Sequence, residues 1–219
     1  MTQSVLKPIP EIIYKSFSAE YLDETAELVS HMFLNHEPMT IVQNIPKTIY
    51  TDFVKVLLAR TLEDGLTKIA VNREDNRVLG AMINEDLNDP QPEIFNDLHE
   101  TFHPIFDLLE RVGGPYLEAN PPIKRRFFHM FMLAVDLDVS GQRVGDNLID
   151  HSVAMARELG FQTAVVEATG PRSQKLFQEY HDFQPTHEIR YSDYTFEGKK
   201  VFGAVPNAES TKFMVLPLK

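Results

Sequence analysis

The chain has 219 residues, 43 % of them hydrophobic, and its 32 acidic against 21 basic residues give a net charge of −11. That length suits one α/β domain with a full core and falls short of two, while the acidity excludes binding along a polyanion such as nucleic acid, because no counterion release would offset the repulsion. With no cysteine there is no disulfide framework, no thiolate metal site and no thiol nucleophile.

Met1 to Pro10 lacks the basic start and apolar core of a signal peptide, and no stretch reaches membrane-span length. The expectation is a single domain over 1–219, cytoplasmic, binding neither nucleic acid nor membrane, and working as a monomer or homodimer.

After the tail at 1–10, Ile12 to Phe17 reads as a strand, and Ser18 is placed to cap a helix with Glu20, Asp23 and Glu24 in its first turns. Leu22, Ala26, Val29 and Phe33 recur at helical spacing, and the helix should stop before Pro38, which leaves Glu37 in a loop. Pro46 opens a second helix whose buried stripe is Ile49, Phe53, Val56 and Leu57, ending at Asp64-Gly65. Leu66 to Val71 and Val78 to Ile83 then form a hairpin around the polar turn 73–77.

The segment 84–124 is polar and proline-punctuated, with Ile94, Leu98, Phe102 and then Ile105, Leu108 and Leu109 suggesting two short amphipathic helices. It reads as a helical insertion, either a surface connection over the core or a lid on an acceptor pocket. Phe127 to Val135 is the most apolar run, and its lack of alternation marks a strand buried on both faces. A helix follows from Val144 to Leu159, then a strand from Thr163 to Ala168 and a helix opened by Pro171 and running to Tyr180. Glu188–Tyr194, Lys199–Val205 and Lys212–Leu218 read as closing strands.

Between the buried strand and the helix lies Asp136-Leu137-Asp138-Val139-Ser140-Gly141-Gln142-Arg143-Val144-Gly145-Asp146, a turn with two glycines. Such a turn can aim backbone N–H groups and a positive helix end at one anion. By itself it is equally an ordinary strand-to-helix connection.

The order strand, turn, helix, strand, helix over 127–180 resembles the acyl-CoA-binding core of the GNAT acetyltransferase superfamily. The family turn reads Gln or Arg, two residues, Gly, one residue, Gly or Ala; here Ser140 stands at the first position and Arg143 at the first glycine. The resemblance implies an α/β (α+β) fold with a mixed central sheet of about seven strands flanked by helices. It implies acetyl-CoA as co-substrate, no metal, and acyl-CoA contacts on Leu133, Ala134 and Val135 and on Gly141, Gln142, Arg143, Val144, Gly145 and Asp146.

The match narrows at both ends of the chain. Phe33-Leu34-Asn35-His36-Glu37-Pro38-Met39 is similar to the Asp-Glu-Pro-Leu segment of insect-type arylalkylamine N-acetyltransferases, and 188–202 to their tyrosine-rich strand and turn. This implies Glu37 as the general base toward a small-molecule amine of arylalkylamine or polyamine type. A base is needed because an alkylamine is mostly protonated at neutral pH and only its free form attacks a thioester, and the role calls for a partly desolvated carboxylate.

The backbone N–H of Leu133 is the candidate oxyanion donor, where the central strand splays from its neighbour. His129, on the same strand, is either a proton relay or a satisfied structural histidine. The family's tyrosine acid falls on Phe177, with Tyr180 one turn away as the substitute. Two other readings stand beside this one: an acceptor that is a protein lysine or N-terminus, and a CoA-binding module with weakened catalysis, to which Ser140, Arg143 and Phe177 point.

Overall fold

The computed structural model describes residues 10–90, 98–121 and 123–219. The tail at 1–9 and Ile94 therefore lie outside the described residues. Seven strands, β1 (Ile12–Ser16), β2 (Lys68–Asn72), β3 (Val78–Asp86), β4 (Phe127–Val135), β5 (Thr163–Ala168), β6 (Gln184–Arg190) and β7 (Ser210–Pro217), form one sheet in the order β1-β2-β3-β4-β5-β7-β6. Every pairing is antiparallel except that of β4 with β5.

Alternate side chains of the strands feed two cores, as the two-residue repeat of a strand requires. On one face Ile69, Val71, Ala81 and Ile83 pack with α1 (Leu22–His36), α3 (Lys47–Asp64) and α4 (His103–Ala119). On the other, Ala70, Leu79 and Met82 pack with α5 (Val144–Glu158) and with Phe177 and Phe183. Gly80 lets α5 come down onto the sheet: a Cβ there would lie 3.0 Å from Leu148, 3.1 Å from Ala134 O and 3.2 Å from Val144.

Two irregularities at β4 shape everything that follows. Ile83 pairs with Met132 and Asn84 with Met130, so Phe131 is an extra residue, a β-bulge. The parallel ladder with β5 is only Phe127–Thr163, Phe128–Ala164 and His129–Val165, after which the two strands part.

Glu37 is not in a loop. It is the single extended residue (φ −83, ψ 125) between α1 and a short helix α2 (Pro38–Gln43), with Pro38 in the first turn of α2. A proline starts this helix as readily as it ends the one before. Ser18 makes no capping bond and leads into a short 3-10 turn, Ala19–Tyr21, ahead of α1. In the segment 84–124, β3 takes the residues to Asp86, and His103–Ala119 is one helix rather than the second of two short ones.

Helix α6 (Pro171–Lys175) passes directly into a π-turn, Leu176–Tyr180, which takes up one residue more than an α-helix would before Phe183 returns to the core. Lys199–Val205 is a series of turns, not a strand. Its apolar residues belong to an irregular segment anchored on the core by Tyr194 and Phe202, which are 3 % and 0 % exposed. Among the described residues no helix is long and apolar enough to cross a membrane.

Candidate active site

Where β4 and β5 part, a cavity of about 680 Å³ passes between them and opens to both faces of the sheet. One side is walled by α1, Glu37, α2 and the aromatic residues Tyr50, Phe53, Phe102, Phe106 and Phe131; the other by the end of β4, the turn that follows it and the start of α5. Phe102, Ile105, Phe106 and Leu109 come from the segment 84–124, which thus covers the cavity as well as the core.

The register of β4 decides which amides face the gap. Asp136 N–H bonds to Leu79 O at 2.9 Å, so in this antiparallel ladder Ala134 and Met132 also bond toward β3. Leu133 and Val135 therefore turn their N–H groups to the opposite edge, where β5 has already left.

The turn after β4 ends with Gly141 at φ +82 and Arg143 at φ +58, both left-handed. This backbone shape explains why a glycine is suited to position 143, since a Cβ costs energy there. The first intrahelical bond of α5 is Asn147 N–H to Arg143 O, so the N–H groups of Val144, Gly145 and Asp146 precede any intrahelical acceptor. With the positive helix end they make a cradle suited to a diphosphate. The Arg143 side chain does not fill it: it is 74 % exposed and lies 3.9 Å from Asp146. Asp146 brings a negative charge to the cradle, and His181 sits 3.6 Å from it.

Glu37 caps α2 with its own side chain. Oε1 accepts from Met39 N–H at 3.2 Å, and Oε2 accepts from both Thr40 N–H and the Thr40 hydroxyl at 2.6 Å. A carboxylate has about four acceptor sites, so capacity remains on Oε1 toward the cavity. The residue is half-buried. Burial, and secondly the Glu37 charge, push the hydroxyls of Tyr50 and Tyr191 above the usual tyrosine range, so both stay protonated. Tyr191 donates to Thr169 O at 2.6 Å.

A second polar assembly stands at the cavity wall. His129 Nδ1 lies 2.8 Å from Glu85 Oε1 and Nε2 lies 2.7 Å from Glu167 Oε2, while Arg60 reaches Glu85 Oε2 at 3.0 Å. Burial would lower the imidazole, but the charges and hydrogen bonds of Glu167 and Glu85 outweigh it and push it up to about 10. The ring is therefore an imidazolium donating from both nitrogens.

No family model matches the sequence, and no curated protein matches it. Solved structures do. The C-terminal condensation domain of Ebony in complex with beta-alanyl-dopamine superposes with a TM-score of 0.84 at 19 % identity, over 95 % of this chain and 99 % of that one. Arylalkylamine N-acetyltransferase 2 from Aedes aegypti gives 0.81 at 26 % identity, over 95 % and 99 %. The polyamine N-acetyltransferase of Drosophila melanogaster gives 0.76 at 20 %, over 94 % and 100 %. The chain has the GNAT fold.

Within that GNAT frame, Glu37, Leu133, Ala134, Val135, Gly141, Arg143, Val144, Gly145 and Asp146 all line the one cavity. Three residues singled out from the sequence do not. Gln142 is turned away from the lining and its N–H is taken by Val139 O at 3.2 Å. Tyr180 ends the π-turn 60 % exposed and clear of the cavity, so it is no acid for a leaving group there. His129 has both ring nitrogens engaged by carboxylates and does not itself line the cavity. Of the two cations near the start of α6, Arg172 lines the cavity and Lys175 lies 3.8 Å from Glu179.

Sequence reasoning missed Glu167, Glu85 and Arg60 altogether. It also missed Thr40, three residues after Glu37, where the spacing of a helix cap was available as a signal.

Proposed function

We propose that this chain is an acetyl-CoA-dependent N-acetyltransferase that moves an acetyl group directly to a small primary amine, with Glu37 as the base. The observation that carries the reading is that Glu37 and the N-terminal cradle of α5 open onto the same gap between β4 and β5. Support also comes from the neighbours, whose names speak of arylalkylamines and polyamines.

In this reading the N–H groups of Val144, Gly145 and Asp146 hold the CoA diphosphate, and Leu133 to Val135 run beside the pantetheine arm. The Leu133 N–H, turned to the gap, donates to the thioester oxygen as negative charge develops on it. Glu37 takes a proton from the bound ammonium, directly or through one water, and the free amine attacks the thioester carbon. The nitrogen gives up its second proton to solvent as the C–S bond breaks. With Phe177 buried in the core and Tyr180 outside the cavity, the thiolate is protonated by solvent.

The test is calorimetry with CoA beside a thiol-release assay over a panel of small amines and of peptides. The expected result is CoA binding together with turnover of at least one small primary amine. Turnover of peptides alone would move the acceptor to a protein, binding without any turnover would leave a CoA-binding module, and no binding would reject the reading.

A further inference from the structure

Glu167 is the one member of the buried array that also lines the cavity. Its side chain is 12 % exposed, Oε2 is taken by His129, and Oε1 has no hydrogen-bond partner among the described residues. Oε1 faces α4, 3.6 Å from where a Cβ on Gly113 would lie, and is the array's unused acceptor at this end of the cavity wall. The surrounding walls are Phe53, Phe102, Phe106 and Phe131, with Phe53 and Phe102 centred 4.8 Å apart and Phe131 5.1 Å from the His129 ring.

The charge of the array decides what that oxygen can accept from. Glu167 on β5 and Glu85 on β3 carry two negative charges, and His129 on β4 and Arg60 on α3 carry two positive ones. The sum is zero. A second ammonium or guanidinium brought here would be a desolvated charge with no net counter-charge, which is strongly unfavourable among apolar walls. A neutral hydroxyl needs only a partner for its proton, and an ionised acceptor makes a strong one.

Resting on the acetyl-transfer reading, we propose that Glu167 is a specificity-determining residue that selects an aromatic amine whose end remote from the amine is neutral and carries a hydroxyl, and rejects diamines. The amine end meets Glu37, the ring lies among the phenylalanines, and the hydroxyl donates to Glu167 Oε1. His129, Glu85 and Arg60 are positioning residues that hold this oxygen and cancel its charge.

Tyramine and phenethylamine differ only in the ring hydroxyl, and putrescine supplies a second cation in place of the ring. Wild-type protein is expected to favour tyramine over phenethylamine by about tenfold or more in kcat/KM, as suits one hydrogen bond to a charged group, with putrescine poorest. Glu167→Gln should shrink the hydroxyl preference, read as the ratio of the two kcat/KM values within the same variant, to about threefold or less. Arg60→Gln makes the array net negative, so putrescine should gain relative to tyramine, a shift that a purely structural role for Arg60 would not produce.

Equal use of tyramine and phenethylamine by the wild type, or a preference for putrescine, would overturn the proposal without any variant having to fold. That outcome leaves acetyl transfer standing. If no amine were turned over, the acetyl-transfer reading would fail, and the same pair would be compared by calorimetric Kd, where equal values would again overturn the role of Glu167.

Discussion

Glu37 and Glu167 present the same functional group to one cavity and are held there by opposite means. Glu37 is fixed by the two residues just beyond its proline, through backbone N–H groups and one hydroxyl of its own helix start. Glu167 is fixed by a side chain from another strand, itself fixed by a carboxylate from a third strand that a helix arginine holds in turn. A carboxylate held by local backbone donors can be altered at little cost to the fold. One held in a buried charge array cannot, because each member's burial is compensated only by the others.

The largest effect should come from breaking the array away from the cavity. Glu85→Ala leaves Arg60 without its carboxylate and His129 with one partner, and should cost about 3–5 kcal/mol in urea unfolding. Glu37→Gln should cost only about 1 kcal/mol, as a cap substitution does. Similar losses for the two would erase the distinction.

In turnover the ranking reverses. Glu37→Gln should lower kcat by about 100-fold or more, the usual range for losing a general base, with the loss greatest at low pH and CoA affinity unchanged. An equal drop in both quantities would discredit the base.

The array also has a pH signature. His129 is raised from 6.5 in the unfolded chain to about 10, so its contribution is complete below pH 6.5 and fades as pH rises toward 10. Against burial, His129 and Arg60 hold Glu85 below its unfolded value of 4.5, so that contribution is complete above pH 4.5 and is lost on further acidification. The stability margin of wild type over His129→Gln should therefore be widest between pH 4.5 and 6.5 and narrow steadily above it. A margin flat from pH 6 to 10 would mean an uncharged ring.

The smallest effect belongs to the cradle. Arg143→Gly relieves a side chain held at φ +58 and removes a guanidinium that points to solvent. Calorimetry should find CoA bound as tightly or tighter, and a large drop would make the guanidinium a phosphate ligand.

The same contrast separates what the sequence discloses from what it hides. Glu37 is legible through the Glu-Pro segment that resembles the arylalkylamine enzymes, although its cap on Thr40 is not, and β4, α5 and β5 are legible because apolar runs and helical spacing are local patterns. The splay after His129 is expected only through the family resemblance, which places the oxyanion donor there. Arg60, Glu85, His129 and Glu167 sit on four separate elements, and nothing near any of them names its partners. The turns at 199–205 deceived for a related reason, since Phe202 is apolar in order to pin an irregular segment, not to line a sheet.

The bulge at Phe131 makes β4 two strands in one. Before it, Phe127 looks toward α4 and Phe128 toward α5; after it, even-numbered Met132 and Ala134 take the α1 side while Leu133 and Val135 turn to α5. Drawing that single phenylalanine into a regular ladder would make the alternation uniform and swap the sides served by every residue beyond it. The amides aimed at the gap would then belong to different positions, so the spare residue acts as the indexing tooth that sets catalytic register against a ladder built for stability.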